Sequence, residues 1–101
     1  GFNVYPREVE VVIEAMPEVA EVAVLGVPDD MTGEAVTAAV VARPGMDLDE
    51  ERVLEHCAAH LARFKMPTRV RIVDALPHST TGKVAKGRLR EVYEVLGDDG
   101  A

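Results

Sequence analysis

Two spacings of apolar residues take turns along this chain and divide it into elements. Val9, Val12, Ile13 and Met16 recur three or four positions apart behind Pro6, which suits a first helical turn, and Pro17 stops the pattern. A helix from about Pro6 to Met16 is predicted. From Val19 to Val27 the period changes to two, with Val22 and Val24 pointing opposite to Ala23, Leu25 and Val27, which predicts a strand. The run Pro28-Asp29-Asp30-Met31-Thr32-Gly33 is turn chemistry, and Ala35 to Ala42 is a second strand-like run, so the two should pair as a hairpin. Their continuous apolarity implies burial on both faces. Arg43-Pro44-Gly45 breaks the second strand, after which Asp47 is the expected helix cap, with Glu50 completing a capping box. Leu54, Cys57, Ala58 and Leu61 are the expected buried stripe of that helix. A strand over Arg69 to Asp74 should follow, then a last helix through Leu96 with Leu89, Val92, Tyr93 and Leu96 at helical spacing. The final five residues, from Gly97, should fray. The order helix, strand pair, helix, strand, helix predicts an α+β fold, a small sheet of about three main strands with helices packed on it.

Between the last strand and the last helix lies the densest chemistry, Pro77-His78-Ser79-Thr80-Thr81-Gly82-Lys83-Val84-Ala85-Lys86-Gly87-Arg88-Leu89-Arg90. Proline, three hydroxyl residues and glycine favour a sharp turn, and the helical spacing resumes behind them. Lys83 is therefore predicted on a loop braced by a helix, with its ammonium presented to something anionic. A phosphate-binding P-loop is excluded, because that motif needs Gly at position 77 and Ser or Thr at 84, where this chain has Pro77 and Val84. From spacing alone, Lys83, Lys86, Arg88 and Arg90 equally fit a solvated charged face.

Composition narrows the classes. A chain of 101 residues is one domain with a modest core. A formal charge of −7 argues against a nucleic-acid binder, and Phe2, Tyr5, Phe64 and Tyr93 are too few for base stacking. Cys57, the only cysteine, permits no intrachain disulfide and points to a reducing, cytoplasmic setting. No apolar stretch approaches a membrane span. The chain opens without methionine inside a motif-like segment, from which a longer parent extending upstream is expected.

Other constellations favour structural readings. His56 and His60 are one helical turn apart, but Cys57 stands where a zinc-protease motif needs Glu; both lie opposite the expected stripe, so exposed histidines and no metal site are predicted. Cys57, on the stripe, reads as an inert core thiol. Asp29, Asp30 and Glu34 read as solvated turn residues. His78 adjoins Ser79, yet no acidic residue has a sequence-visible reason to orient it, which argues against a serine-type triad.

Three segments also carry a family resemblance. Leu76-Pro77, Thr81-Gly82-Lys83 and Leu89-Arg90 resemble the C-terminal core motif of the adenylate-forming (AMP-binding) superfamily of acyl-CoA synthetases, luciferases and peptide synthetase adenylation domains. Gly1-Phe2-Asn3-Val4-Tyr5-Pro6-Arg7-Glu8-Val9-Glu10 resembles the segment after that family's interdomain hinge, and Leu61-Ala62-Arg63-Phe64-Lys65-Met66-Pro67 its middle motif. The Tyr5-Pro6 form is more like fatty-acyl-CoA ligases than peptide synthetase domains. Gly87 departs from the usual basic residue and should weaken the first turn of the last helix by up to ~1 kcal/mol relative to Ala.

The resemblance implies that residues 1–101 form the C-terminal lid of an acyl-CoA synthetase whose N-terminal adenylation core lies outside this sequence. The parent would activate a carboxylic acid, most like a fatty acid, with ATP and Mg2+, then pass the acyl group to coenzyme A; no cofactor is expected on the isolated domain. Lys83 would be the catalytic lysine of adenylation. Gly1, Phe2, Asn3, Gly82, Lys65 and Lys86 would be substrate-binding, and charge and position alone suggest Arg63, Lys65, Lys86 and Arg88 as coenzyme A contacts. Gly1 would let backbone approach the thiol, unless it is a plain flexible end. A lysine acetyltransferase acting on Lys83 would be a further partner. A non-catalytic α+β interaction module, or the lid of a peptide synthetase adenylation domain, stands as the alternative.

Overall fold

The computed structural model describes residues 5–29 and 33–96. Helix α1 spans Pro6–Glu14, strand β1 Val19–Asp29, β2 Gly33–Ala42, helix α2 Glu50–His60, strand β3 Arg69–Ile72 and helix α3 Lys86–Leu96, with a 3-10 turn at Arg63–Lys65. The sheet runs β1-β2-β3, antiparallel between β1 and β2 and parallel between β2 and β3. The expected α+β architecture is what forms, with α2 as the crossover that a parallel pair requires.

The strand period sorts the two faces. Val22, Val24, Ala38, Val40 and Val70 meet Val9 and Ile13 of α1, Met16 just past the end of that helix, and Val53 and Cys57 of α2. Ala23, Leu25, Val27 and Ala39 turn the other way, toward Leu76 and toward Leu89 and Tyr93 of α3. Both faces of β1 and β2 are thus buried, as their continuous apolarity implied.

The strands run into the predicted turn, with Pro28 paired to Glu34 and Asp29 to Gly33, so Asp29 and Glu34 lie in strands rather than in the turn. The sheet edge explains why proline is tolerated. Val24 N–H points away from β2, so Pro28, at the same parity, lacks only an outward-facing donor. Asp30 falls outside the described residues, as do Gly1–Asn3 and the tail expected to fray.

Three local expectations need correction. Asp49, not Asp47, caps α2, its Oδ1 accepting from Arg52 N at 2.8 Å. Leu48 packs half-buried against the first core, which keeps the chain extended to Asp49 and starts the helix later. The buried face of α2 is Val53 and Cys57, whereas Ala58 is exposed and Leu54 and Leu61 are half-buried. Leu61 has already left the helix, with φ −124 and ψ 147. His56, expected in solvent, is half-buried and donates from Nε2 to Val12 O at 2.9 Å, tying α2 to α1. His60 is exposed and bonds through Nδ1 to His56 O. In α3, Leu89 and Tyr93 are buried while Val92 is 45% exposed. The helix nonetheless starts at Lys86, one residue before Gly87.

Cys57 is fully buried, and desolvation pushes its thiol from the ordinary 9.0 to about 11. The folded state holds this proton more tightly than the unfolded chain, so the thiol's contribution is intact below pH 9 and is lost as the pH rises from 9 through 11. We expect an alkaline loss of about 2–3 kcal/mol from this group. Urea melts at pH 8 to 11 on the wild type and Cys57→Ala should show that component only in the wild type. Thiol reagents should label Cys57 only on unfolding.

Candidate functional site

The segment after β3 closes into a small hairpin. His78 and Val84 form an antiparallel bridge, Ser79 N donates to Lys83 O at 2.7 Å, Gly82 N donates to Ser79 O at 3.0 Å, and Ala85 N closes the base on Pro77 O at 2.8 Å. Gly82 has φ 87, in the left-handed region open to glycine. A tight turn followed by a left-handed glycine is the pattern of a three-residue hairpin loop with a glycine bulge. Ser79 and Thr81 hydroxyls bond to each other at 2.8 Å across the tip.

Lys83 follows the glycine directly, on the return arm. It is exposed, and its ammonium has no ion-pair or hydrogen-bond partner among the described residues. Directly behind the hairpin the charges are matched. Lys86, the first residue of α3, sets Nζ 2.8 Å from Glu10 Oε2, and the same oxygen accepts from Val24 N at 2.8 Å. Arg90, one turn along α3, donates from Nε to Gly26 O at 2.9 Å. On the other arm, His78 Nε2 lies 2.6 Å from Glu21 Oε1. His78 therefore has an acidic neighbour that no local sequence signal announced. Glu21 sits on β1, 57 positions away, where local sequence could not reveal it.

Lys65 lies elsewhere, in the 3-10 turn. Its Nζ is 3.0 Å from both carboxylate oxygens of Glu8, and 5.0 and 5.5 Å from the ring centroids of Tyr5 and Phe64. Carboxylate and aromatic faces together fix this ammonium. In this conformation Lys65 and Lys86 are both held by carboxylates, while Lys83 is presented outward. Gly82 shapes the hairpin; Gly1, Phe2 and Asn3 lie outside the described residues. Arg63 and Arg88 are exposed. Arg63 joins Ala58, Leu61 and Met66 around an open groove of about 560 Å³ that the hairpin does not line. Among the described residues no group of three or more His, Cys, Asp or Glu side chains could hold a metal ion.

Sequence reasoning missed Glu10, although a signal existed. Val9 and Ile13 define the buried face of α1, and Glu10, three positions before Ile13, lies on it. A carboxylate there needs partners.

The family model for the AMP-binding enzyme C-terminal domain matches residues 8–83. A Mycobacterium tuberculosis protein named 3-[(3aS,4S,7aS)-7a-methyl-1,5-dioxo-octahydro-1H-inden-4-yl]propanoyl:CoA ligase is 55% identical over 91% of this chain and 18% of its own length. The long-chain-fatty-acid–CoA ligase FadD13 of the same organism is 45% identical over 92% of this chain and 18% of its own. Among solved structures, ATP-bound MatB from Rhodopseudomonas palustris superposes with a TM-score of 0.87 at 53% identity, covering 93% of this chain and 19% of that one. The chain thus spans less than a fifth of the length of these relatives.

Gly82→Ala should destabilise the hairpin by about 1–2 kcal/mol, the cost of a left-handed non-glycine residue. A Cβ at Gly82 would meet nothing within 4 Å, so the penalty is conformational, and Gly82→Asn should cost less. Thermal melts of the two variants test the order; an unchanged Gly82→Ala would refute it.

Proposed function

This chain belongs to the AMP-binding enzyme C-terminal domain family, and from that premise we propose that residues 1–101 are the C-terminal lid of an acyl-CoA synthetase. The parent enzyme would transfer the AMP moiety of ATP to a carboxylate, breaking the α–β phosphate bond and releasing pyrophosphate, and then transfer the acyl group to the thiol of coenzyme A, releasing AMP. The names of the relatives favour an acid–CoA ligase over a non-catalytic module. A fatty acid is the favoured substrate class, after the long-chain ligase among them.

One observation carries the role of Lys83. Its ammonium stands exposed on a hydrogen-bonded hairpin, directly after a left-handed glycine and without a partner among the described residues, while Lys65 and Lys86 are neutralised. A preorganised cation of this kind stabilises charge that develops at the α-phosphate and the attacking carboxylate during adenylation. Lys83 is the catalytic residue of this reading, and Gly82 gives its hairpin the required turn. Swinging the lid would withdraw Lys83 and bring the Gly1, Phe2 and Asn3 segment to the thiol step. Lys65 and Lys86 reach coenzyme A only by leaving Glu8 and Glu10.

The described residues do not fit a magnesium site. Mg2+ binding and the adenine pocket are assigned to the N-terminal part of the parent. No helix among the described residues is long and apolar enough to cross a membrane. A cytoplasmic enzyme, with a lysine acetyltransferase that silences Lys83 by removing its charge, completes the reading.

Lys83→Ala in the full-length enzyme should slow adenylation by ~10²–10³. Thioester formation from a supplied acyl-adenylate should stay within a few fold of wild type. Stopped-flow assays of the two half-reactions check this, and equal losses in both would sink the assignment.

A further inference from the structure

Glu10 is buried, only 7% exposed, on the apolar face of α1. Its partners come from three directions. Oε2 accepts from Val24 N on β1 and lies against Nζ of Lys86 at the root of α3, both at 2.8 Å, while Arg7 Nη1 approaches Oε1 at 3.6 Å. Lys86 is separated from Lys83 by two residues, Val84 and Ala85. Val84 is bridged to His78, and Ala85 N is bonded to Pro77 O. The backbone between the two lysines is therefore fixed by its own hydrogen bonds, and wherever Lys86 is anchored, the Lys83 arm follows.

We infer that Glu10 is a positioning residue for the Lys83 hairpin, acting through Lys86 as a strut from the α1–β1 edge to the root of α3. The inference rests on the adenylation role proposed for Lys83 and adds a residue that touches neither substrate nor the reacting atoms. The ion pair differs from an ordinary surface bridge because one partner is buried and shares its oxygen with a backbone N–H, which fixes the geometry of the acceptor. Lys86, 40% exposed in its side chain, is held by a carboxylate that cannot follow it into solvent. Orientation matters steeply in such a site, since a displacement of ~1 Å costs up to ~10²-fold in rate.

The test uses the full-length enzyme and measures the two half-reactions separately. Glu10→Gln keeps the shape and an acceptor for Val24 N–H but removes the charge that holds Lys86; Lys86→Gln removes the strut from its exposed end and leaves the Glu10–Val24 bond in place. Each should lower the kcat of adenylation about tenfold at unchanged KM for ATP, and Glu10→Gln should leave thioester formation from a supplied acyl-adenylate unchanged. Lys86→Arg, which keeps the charge, should restore most of the rate. If Glu10→Gln does not fold, Lys86→Gln decides. Wild-type adenylation by Lys86→Gln, or equal losses in the two half-reactions of Glu10→Gln, would overturn the strut. Lys83→Ala is assayed alongside: full adenylation by that variant overturns the underlying assignment itself, whereas its failure beside a wild-type Lys86→Gln overturns only the positioning role.

Discussion

A single buried carboxylate oxygen joins the layers of this domain. β1 lies at the sheet edge, so the outward N–H of Val24 and the outward C=O of Gly26 have no strand to bond. Such groups cannot be left bare beneath a helix without a cost of about 1–3 kcal/mol each. Glu10 from α1 answers the first and Arg90 from α3 the second, so two helices close one edge with side chains of opposite charge. An apolar residue at position 10 would pack as well and leave Val24 N–H unanswered. Hydrogen-bonding demand at the edge, rather than attraction between charges, explains why a carboxylate stands on the apolar face of α1. Lys86 then compensates its charge.

Much of the fold was legible because its signals are local. Val9, Ile13 and Met16 announce α1, Val22 to Val27 announce β1, and Gly82 before Lys83 announces a turn that needs a left-handed residue. The errors arise where one position answers to a distant packing demand. Asp47 and Asp49 are equivalent as caps, and burial of Leu48 chose between them. The stripe on α2 was misplaced because Leu61 was counted in a helix that ends at His60. His56 looked solvent-facing until α1 was laid against it, with Val12 O as its acceptor.

At the candidate site the division is the same. Lys83 and Gly82 could be read from one short run, since turn chemistry is written in consecutive residues. The place of Glu10 on the apolar face of α1 was legible too, but the partners of Glu10 and Glu21 were not, because they are supplied by a segment far downstream. The same logic applies to the other cations. An acidic chain of net charge −7 offers carboxylates to its cations, and Lys65 and Lys86 each take one. Only the folded geometry tells a presented ammonium from a neutralised one.

The two apolar layers differ in what they bind together. The first ties α1 and α2 to the sheet, whereas the second reaches one helix, α3, which packs chiefly on β1. α3 and its hairpin therefore form a separable cooperative unit, fastened by Leu76, Leu89 and Tyr93 and by two polar clasps at the strand edge. In hydrogen-exchange terms, amides of α3 would open through partial unfolding while those of β2 wait for the whole domain. The Lys83 segment rides on the layer that can loosen first, which lets its orientation be adjusted without melting the core that carries it.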